Sequence, residues 1–378
     1  MHANGTIPLG FVGGGANSFI GLAHRLASSA GRFQLVGGVF GRDLASSRVF
    51  AAEIGVSENR VYAGIEEMIA GELALPEAQR MRLISILTPN GLHYSMAKPL
   101  IRAGFNLLCE KPLTTSVEQA VELEQLAEEY SVVVGVAHTY TGYPMVRQMR
   151  EMIAAGAVGR IQRIDGQYYQ GWINASIHDA NLRSTIWRLD PQISGESCCI
   201  GDIGVHAFNL IEYVTGEEIS SVLADTSTLY DDNPLDVDGT VLLRTRQGAR
   251  GVIRASQIAT GEENNVALSV YGDKGGLKWS HEEPNQLLYM PHEQPRQQYR
   301  PGNAYNHPLA EASNKLAPGH PEGIFDALGN LYAGLFQQIT EGTSAPGAFP
   351  GLRDGVRGMR FIHAVLGSSL RGQVWVTI

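Results

Sequence analysis

The sequence predicts an α/β chain. A doubly wound parallel sheet is expected over residues 1–137, and a second α/β domain with a large, mainly antiparallel open sheet over 138–378. Three observations carry this. Before residue 138, six short apolar runs alternate with segments of helical period. Beyond Gly159 the apolar runs follow one another with few helices between them, as antiparallel strands do. At 378 residues the chain is also too long for one ordinary core.

Composition narrows the function classes. Apolar residues make up 44% and charged residues 18%, which is the texture of a globular protein. The net charge of −9, with no basic stripe, argues against nucleic acid or an anionic membrane surface as partner. No apolar run approaches the ~20 residues of a spanning helix. The N-terminal segment lacks the charged and apolar regions of a signal peptide. Three cysteines, two of them adjacent (Cys198 and Cys199), make no disulfide framework. A cytoplasmic protein is expected.

In order along the first domain, the strand 7–12 ends in Gly13-Gly14-Gly15. Strand, glycine turn and helix place backbone N–H groups and a helix N-terminus against a pyrophosphate, so Gly13 and Gly15 are candidate cofactor contacts. The alternative is a ligand-free strand-to-helix turn. The G-x-G-x-x-G pattern would need a glycine at 18, where Ser18 stands; Gly21 comes three residues later, which predicts a loop longer by about one helical turn. The second strand, 33–40, ends at Gly41-Arg42-Asp43. An acid directly at that strand end would bond the ribose 2′-hydroxyl of NAD. Here Arg42 could instead receive the 2′-phosphate of NADP, so both cofactors stay open. Asp43 serves NAD or caps the helix 44–54.

A short third strand is expected near Val61-Tyr62, and a fourth over 82–87 runs into Thr88-Pro89-Asn90-Gly91-Leu92-His93. That turn falls on the carboxyl edge of the sheet. Thr88, Asn90 and His93 are therefore cofactor candidates, or else a plain turn with Asn90 capping the helix 92–103. The strand 105–109 then delivers Glu110-Lys111-Pro112. Pro112 stops the strand and keeps Lys111 out of helical geometry, so Lys111 emerges where open α/β sheets bind ligands. Read blandly, Glu110 and Lys111 are a solvated charge pair. The helix 117–130 and the strand 132–137 close the domain.

The second domain opens with a polar-aromatic loop in which Tyr140 and Tyr143 either line a ligand site or staple a hinge. A helix to about 155 follows. Strands are expected over 161–171, 219–230, 237–244, 251–258 and 265–271. Residues 282–321, rich in Pro, Gln, His and Asn, read as a long excursion, and helices over 322–340 and 352–370 end the chain. From Gly201 a helix is expected to run to about 214. Asp202 and His206, at i and i+4, then lie ~40° apart on one face, and Asn209 joins them. A histidine beside a carboxylate is a general base with its partner, or simply a helix cap with a half-buried histidine. No third ligand stands at metal spacing, so no metal is expected. Trp172, Arg183, Trp187 and Arg188 supply aromatic faces and donors that suit a polyol ring, or a core and surface ion pairs.

Taken in order, Gly13–Gly15, Thr88-Pro89-Asn90, Glu110-Lys111-Pro112, Trp187-Arg188 and Asp202…His206 resemble the Gfo/Idh/MocA oxidoreductases over essentially the whole chain. The resemblance implies an N-terminal Rossmann dinucleotide-binding domain and a C-terminal α/β domain with a large open sheet. Homodimers or homotetramers would be built through that sheet. It also implies NAD or NADP as hydride carrier and a sugar, cyclitol or related polyol as substrate. Lys111 matches the lysine that touches nicotinamide and substrate, His206 the acid/base histidine, and Asp202 its companion. Ala16, Asn17, Ser18 and Glu110 fall among the cofactor contacts. Asn209 stands where an aspartate is common three residues after the histidine. Two other readings are a glycosidase-like enzyme that oxidises and re-reduces its sugar, and a non-catalytic sensor; retention of both Lys111 and His206 argues against the sensor.

Overall fold

The computed structural model describes residues 5–378, which divide into two compact units. The first contains the chain up to Thr114, Glu118–Gly142 and Ile324–Val356. Its parallel sheet has the order β2-β1-β3-β4-β5, made of β1 (Ile7–Gly13), β2 (Phe33–Val39), β3 (Leu83–Leu87), β4 (Asn106–Cys109) and β5 (Val134–Val136). Between them run α1 (Phe19–Ala30), α2 (Leu44–Glu53), α3 (Ile65–Ala74), α4 (His93–Arg102) and α5 (Val117–Glu129). The central strands are buried because helices cover both faces; every residue of β3 is buried. Five strands form, not the six expected. Val61 makes only an isolated bridge to Gly38, because a 3₁₀ turn at Glu58–Arg60 and the start of α3 at Ile65 leave no length for a ladder.

The second unit contains Thr115–Val117, Tyr143–Gly323 and Arg357–Ile378. After α6 (Pro144–Ala154) and β6 (Ile161–Tyr169) come three short helices, α7 (Asn174–Ile177), α8 (Ala180–Arg183) and α9 (Pro191–Ser194). Then follow α10 (Val205–Thr215), β7 (Ile219–Ser227), β8 (Asp238–Thr245), β9 (Arg250–Ser256), β10 (Asn265–Gly272) and β11 (Gly275–Ser280). The stretch 282–321, read from sequence as an excursion, in fact extends the sheet: β12 (Leu287–Pro291) pairs with β11, and β13 (Gln297–Tyr299) with β12. Leu287 is fully buried there, which the polar composition around it concealed. After α11 (Pro308–Glu311), a final β14 (Val376–Thr377) completes nine strands in the order β13-β12-β11-β10-β6-β9-β8-β7-β14. Among the described residues of this sheet, only β6 and β9 pair in parallel.

Two long helices, α12 (Ile324–Glu341) and α13 (Leu352–Leu370), follow α11. The division expected at 137/138 misses α12, which returns to the first unit. Its Leu328, Leu331, Tyr332, Leu335 and Phe336 recur at helical spacing and pack with Phe11, Ala23, Ala27 and Phe33 in one core. Among the described residues, no helix is long and apolar enough to cross a membrane.

Candidate active site

In the first unit the site begins where β1 meets α1. Gly13 and Gly14 have φ of +85° and +71°, which only glycine adopts readily. A Cβ on Gly13 would lie 2.9 Å from the Leu87 carbonyl, and one on Gly15 2.6 Å from the Phe40 carbonyl oxygen. Ser18 is the N-cap of α1: its hydroxyl oxygen accepts from the Gly21 N–H at 3.0 Å. α1 starts at Phe19, four residues after Gly15. Gly21 does the work of the missing third glycine from inside the helix, where a Cβ would meet the Gly14 oxygen at 2.3 Å.

Arg42 is exposed just past β2. Asp43 caps α2, accepting from the Ser46 N–H at 2.8 Å and from the Ser46 hydroxyl, and these two bonds hold its carboxyl below the ordinary range. At the end of β3, the Thr88 hydroxyl oxygen is buried with no protein partner, and Asn90 is nearly buried. His93 is placed otherwise than a cofactor contact would be. It is fully buried, with Nδ1 2.8 Å from the Pro112 oxygen and Nε2 2.8 Å from the Thr88 oxygen. Burial holds the imidazole below its ordinary range, so the neutral ring donates its single N–H to one of these two backbone oxygens while bridging the two edge turns.

Lys111 follows β4, with a cis peptide bond to Pro112. Beneath it, Glu110 accepts from the Lys111 N–H at 3.2 Å and lies 2.9 Å from His24 Nε2. The glycine cradle, the α1 N-terminus and the partnerless Thr88 oxygen are what a dinucleotide requires: close backbone approach, N–H groups for its phosphates and an acceptor for a donor it brings.

In the second unit the expected single helix from Gly201 is two. Ile200–Gly204 is a π-helical turn and α10 starts only at Val205, so Asp202 and His206 lie on different helical geometries and the ~40° estimate does not apply. Such turns widen the helix and often carry functional groups. Asp202 is not the cap. Its carboxylate Oδ2 accepts from Arg188 Nε at 3.0 Å and from Gln257 Nε2 at 3.0 Å. The anchoring role falls to buried Asp236, whose two oxygens accept the Cys198 N–H at 3.0 Å and the Ile200 N–H at 2.7 Å. His206 is nearly buried on α10, with its ring 6.0 Å from that of Tyr168. One turn on, Asn209 is buried and its side-chain oxygen has no protein partner.

The residues before the π-turn separate into two sets. The Arg188 guanidinium lies 4.3 Å from the Trp187 ring and 5.8 Å from the Trp172 ring, so both indoles flank the arginine that binds Asp202. Arg183 is elsewhere: it pairs with Asp232, covers the Tyr230 ring and donates to the Ile177 oxygen. Tyr143 is a core residue, 1% exposed, with its hydroxyl 3.0 Å from His281 Nε2 and its ring against Trp279. Tyr140, in the first unit, is buried in a short 3₁₀ turn, Thr139–Gly142. Sequence reasoning missed Asp236, Gln257 and His24, none of which stands in a spaced pattern. Among the described residues no three His, Cys, Asp or Glu are grouped to hold a metal ion.

A glycine cradle on a parallel sheet and a helix-borne aspartate and histidine on an antiparallel one define a two-unit dinucleotide oxidoreductase. Comparison with known proteins gives the family. Residues 7–138 match the oxidoreductase family with NAD-binding Rossmann fold, and residues 146–278 match the GFO/IDH/MocA C-terminal domain. The chain belongs to the Gfo/Idh/MocA oxidoreductase family. It is 30% identical to the uncharacterized oxidoreductase YfiI of Bacillus subtilis, over 97% of this chain and 95% of that one. With levoglucosan dehydrogenase of Pseudarthrobacter phenanthrenivorans it shares 28% identity over 59% of this chain and 62% of that one. The crystal structure of an inositol dehydrogenase homologue from Azotobacter vinelandii, complexed with NADH and myo-inositol, superposes with a TM-score of 0.88. It is 32% identical and covers 99% of both chains.

Proposed function

We propose that this protein transfers hydride between a nicotinamide dinucleotide and a secondary hydroxyl, or the matching ketone, of a sugar, cyclitol or related polyol. The observation that carries the reading is Arg188, bound to Asp202 and flanked by Trp172 and Trp187, one π-turn ahead of His206: aromatic faces for a saturated ring beside an acid/base pair. The myo-inositol in the Azotobacter structure and the levoglucosan relative support the substrate class.

When bound, the dinucleotide supplies the two-electron acceptor or donor. His206 takes the proton of the substrate hydroxyl and returns it to the ketone oxygen in the reverse direction. Asp202, held by Arg188 and Gln257, orients the imidazole or balances its charge. Lys111 places a cation near the developing alkoxide. Gly13, Gly15, Ala16, Asn17, Ser18, Thr88 and Asn90 hold the dinucleotide, with Arg42 at its adenosine ribose. The partnerless Asn209 oxygen accepts a substrate hydroxyl, and Tyr140 completes the ligand contacts. The exposed face of the nine-stranded sheet, where Thr240, Leu242 and Arg244 alternate outward, serves homodimer or homotetramer assembly. Three free, buried cysteines suit a reducing cytoplasm.

The test is formation of NADH or NADPH across a polyol panel by wild type, His206→Ala and Lys111→Ala. Loss of general acid–base help lowers turnover about 10²–10⁴-fold, with dinucleotide affinity near wild type. If both act in one step, the double variant loses far less than the product of the single losses. Full turnover in His206→Ala would remove the histidine from its role. No net reduced nucleotide from any polyol, with either dinucleotide, would overturn the hydride-transfer reading.

A further inference from the structure

Below the sheet edge of the first unit runs a string of buried polar groups that the proposed chemistry leaves without a task. His24 on α1 is fully buried. Its Nε2 lies 2.9 Å from Glu110 Oε1, and its Nδ1 lies 2.7 Å from the Tyr332 hydroxyl on α12. That hydroxyl is 2.7 Å from the Ser85 hydroxyl in the middle of β3. Tyr332 and Ser85 are fully buried as well. Glu110 Oε2, at the other end, accepts the Lys111 N–H.

Three elements, α1, α12 and β3, are thus linked to one carboxylate just past β4. Such a string is too polar for a core unless every group is satisfied, and an apolar quartet would pack α1 against α12 at lower desolvation cost. Burial drives the Glu110 carboxyl up, but the bond from His24 and the nearby Lys111 and His93 more than offset it, leaving it below the ordinary range. His138, Cys109 and Tyr332 also feel its charge.

We propose that His24, backed by Tyr332 and Ser85, is a positioning residue: it aims Glu110 at the Lys111 N–H and so locks the lysine's backbone to the helix that opens the dinucleotide loop. His24 Nε2–H donates to the carboxylate, and the Tyr332 hydroxyl fixes the tautomer by occupying Nδ1. Lys111 and α1 then form one rigid body.

The inference rests on the role proposed for Lys111, so its first readout is independent of turnover. Amide hydrogen exchange of the full chain, resolved to residue 111 and without added nucleotide, is compared for wild type, His24→Gln and His24→Phe. Glutamine keeps one N–H for Glu110; phenylalanine keeps the ring and loses the donor. Exchange at Lys111 is expected at least ~10-fold faster in His24→Phe and within ~3-fold of wild type in His24→Gln. With substrate, kcat of His24→Phe falls at least ~10-fold while KM and the NADH dissociation constant stay within ~3-fold, and His24→Gln restores kcat. Unchanged exchange at 111 in His24→Phe, or equal acceleration in both variants, overturns the proposal. Should His24→Phe fail to fold, Tyr332→Phe decides: faster exchange at 111 supports the relay, and wild-type exchange overturns it. Altered exchange with unaltered kcat, in a protein whose Lys111→Ala variant is also fully active, would leave the relay standing and remove the lysine from the chemistry.

Discussion

Asp236→Ala isolates the anchor of the helical turn that presents Asp202 and His206. The substitution strands the buried N–H groups of Cys198 and Ile200, now held at 3.0 and 2.7 Å. Each buried donor left without a partner costs about 1–3 kcal/mol, so the pair costs about 2–6. Part is returned, because burial outweighs those donors and keeps the Asp236 carboxyl above its ordinary range; removing it relieves that desolvation. A net loss of about 2–4 kcal/mol follows. For a unit of roughly 200 residues this lowers Tm by roughly 5–12 °C. Tryptophan fluorescence in a urea titration reads this unit alone, since Trp172, Trp187, Trp279 and Trp375 all belong to it. The pH dependence has a definite sign. A carboxyl raised on folding contributes stability that is full below its unfolded pKa of about 3.9 and is lost as pH rises through the higher folded value. The gap between wild type and Asp236→Ala should therefore narrow from acid toward neutral pH. A variant with the wild-type midpoint, or a gap that widens with pH, would refute the reasoning.

Three further outcomes are expected. Gly21→Ala puts a Cβ 2.3 Å from the Gly14 oxygen and 2.6 Å from its Cα, both backbone, so the loop must shift; NADH affinity in a fluorescence titration should fall at least ~10-fold with helix content retained. Gln257→Leu takes the amide donor from Asp202 Oδ2 and the acceptor from the Cys198 thiol; steady-state kinetics should show kcat down ~10-fold and NADH affinity within ~2-fold, whereas unchanged kcat would remove Gln257 from that role. Arg42→Ala should weaken NADPH ~10-fold and leave NADH within ~2-fold, because Asp43 is committed to capping α2 and the exposed guanidinium is what a 2′-phosphate would meet; equal effects on both nucleotides would exclude that role.

What the sequence made legible was whatever depends on local order. The strand–glycine–helix start, the turn at Thr88 and the end of a buried strand at Cys109 are each written in a few adjacent residues, because backbone sterics and burial act over that range. The same locality explains the misreadings. Gly21 looked like a displaced loop residue because its purpose, contact with the Gly14 backbone, appears only once α1 has formed. His93 carried a polar side chain on the ligand edge of the sheet, but its two carbonyl partners come from separate turns. Tyr143, which follows the last strand of the first unit in sequence, meets His281 far along the chain, and Arg183 makes an ion pair with Asp232, one of the two readings open for it.

The groups that sequence could not reach share one property: they act on a functional residue from a distant segment. Asp236 holds the turn of Asp202 from 34 positions away in sequence, Gln257 fixes its carboxylate across 55, and His24 reaches Glu110 across 86. Each is buried, and each satisfies a donor or acceptor that would otherwise be stranded. A buried polar residue with no neighbour in any motif is thus a reason to look for the functional group it supports. By that criterion Glu72 is the contrasting case. It is equally buried and accepts from Arg60, Tyr62 and the Met81 N–H, but every one of those partners is structural. Its removal should lower the stability of the first unit and leave kcat of the surviving folded fraction unchanged, the opposite signature to Gln257.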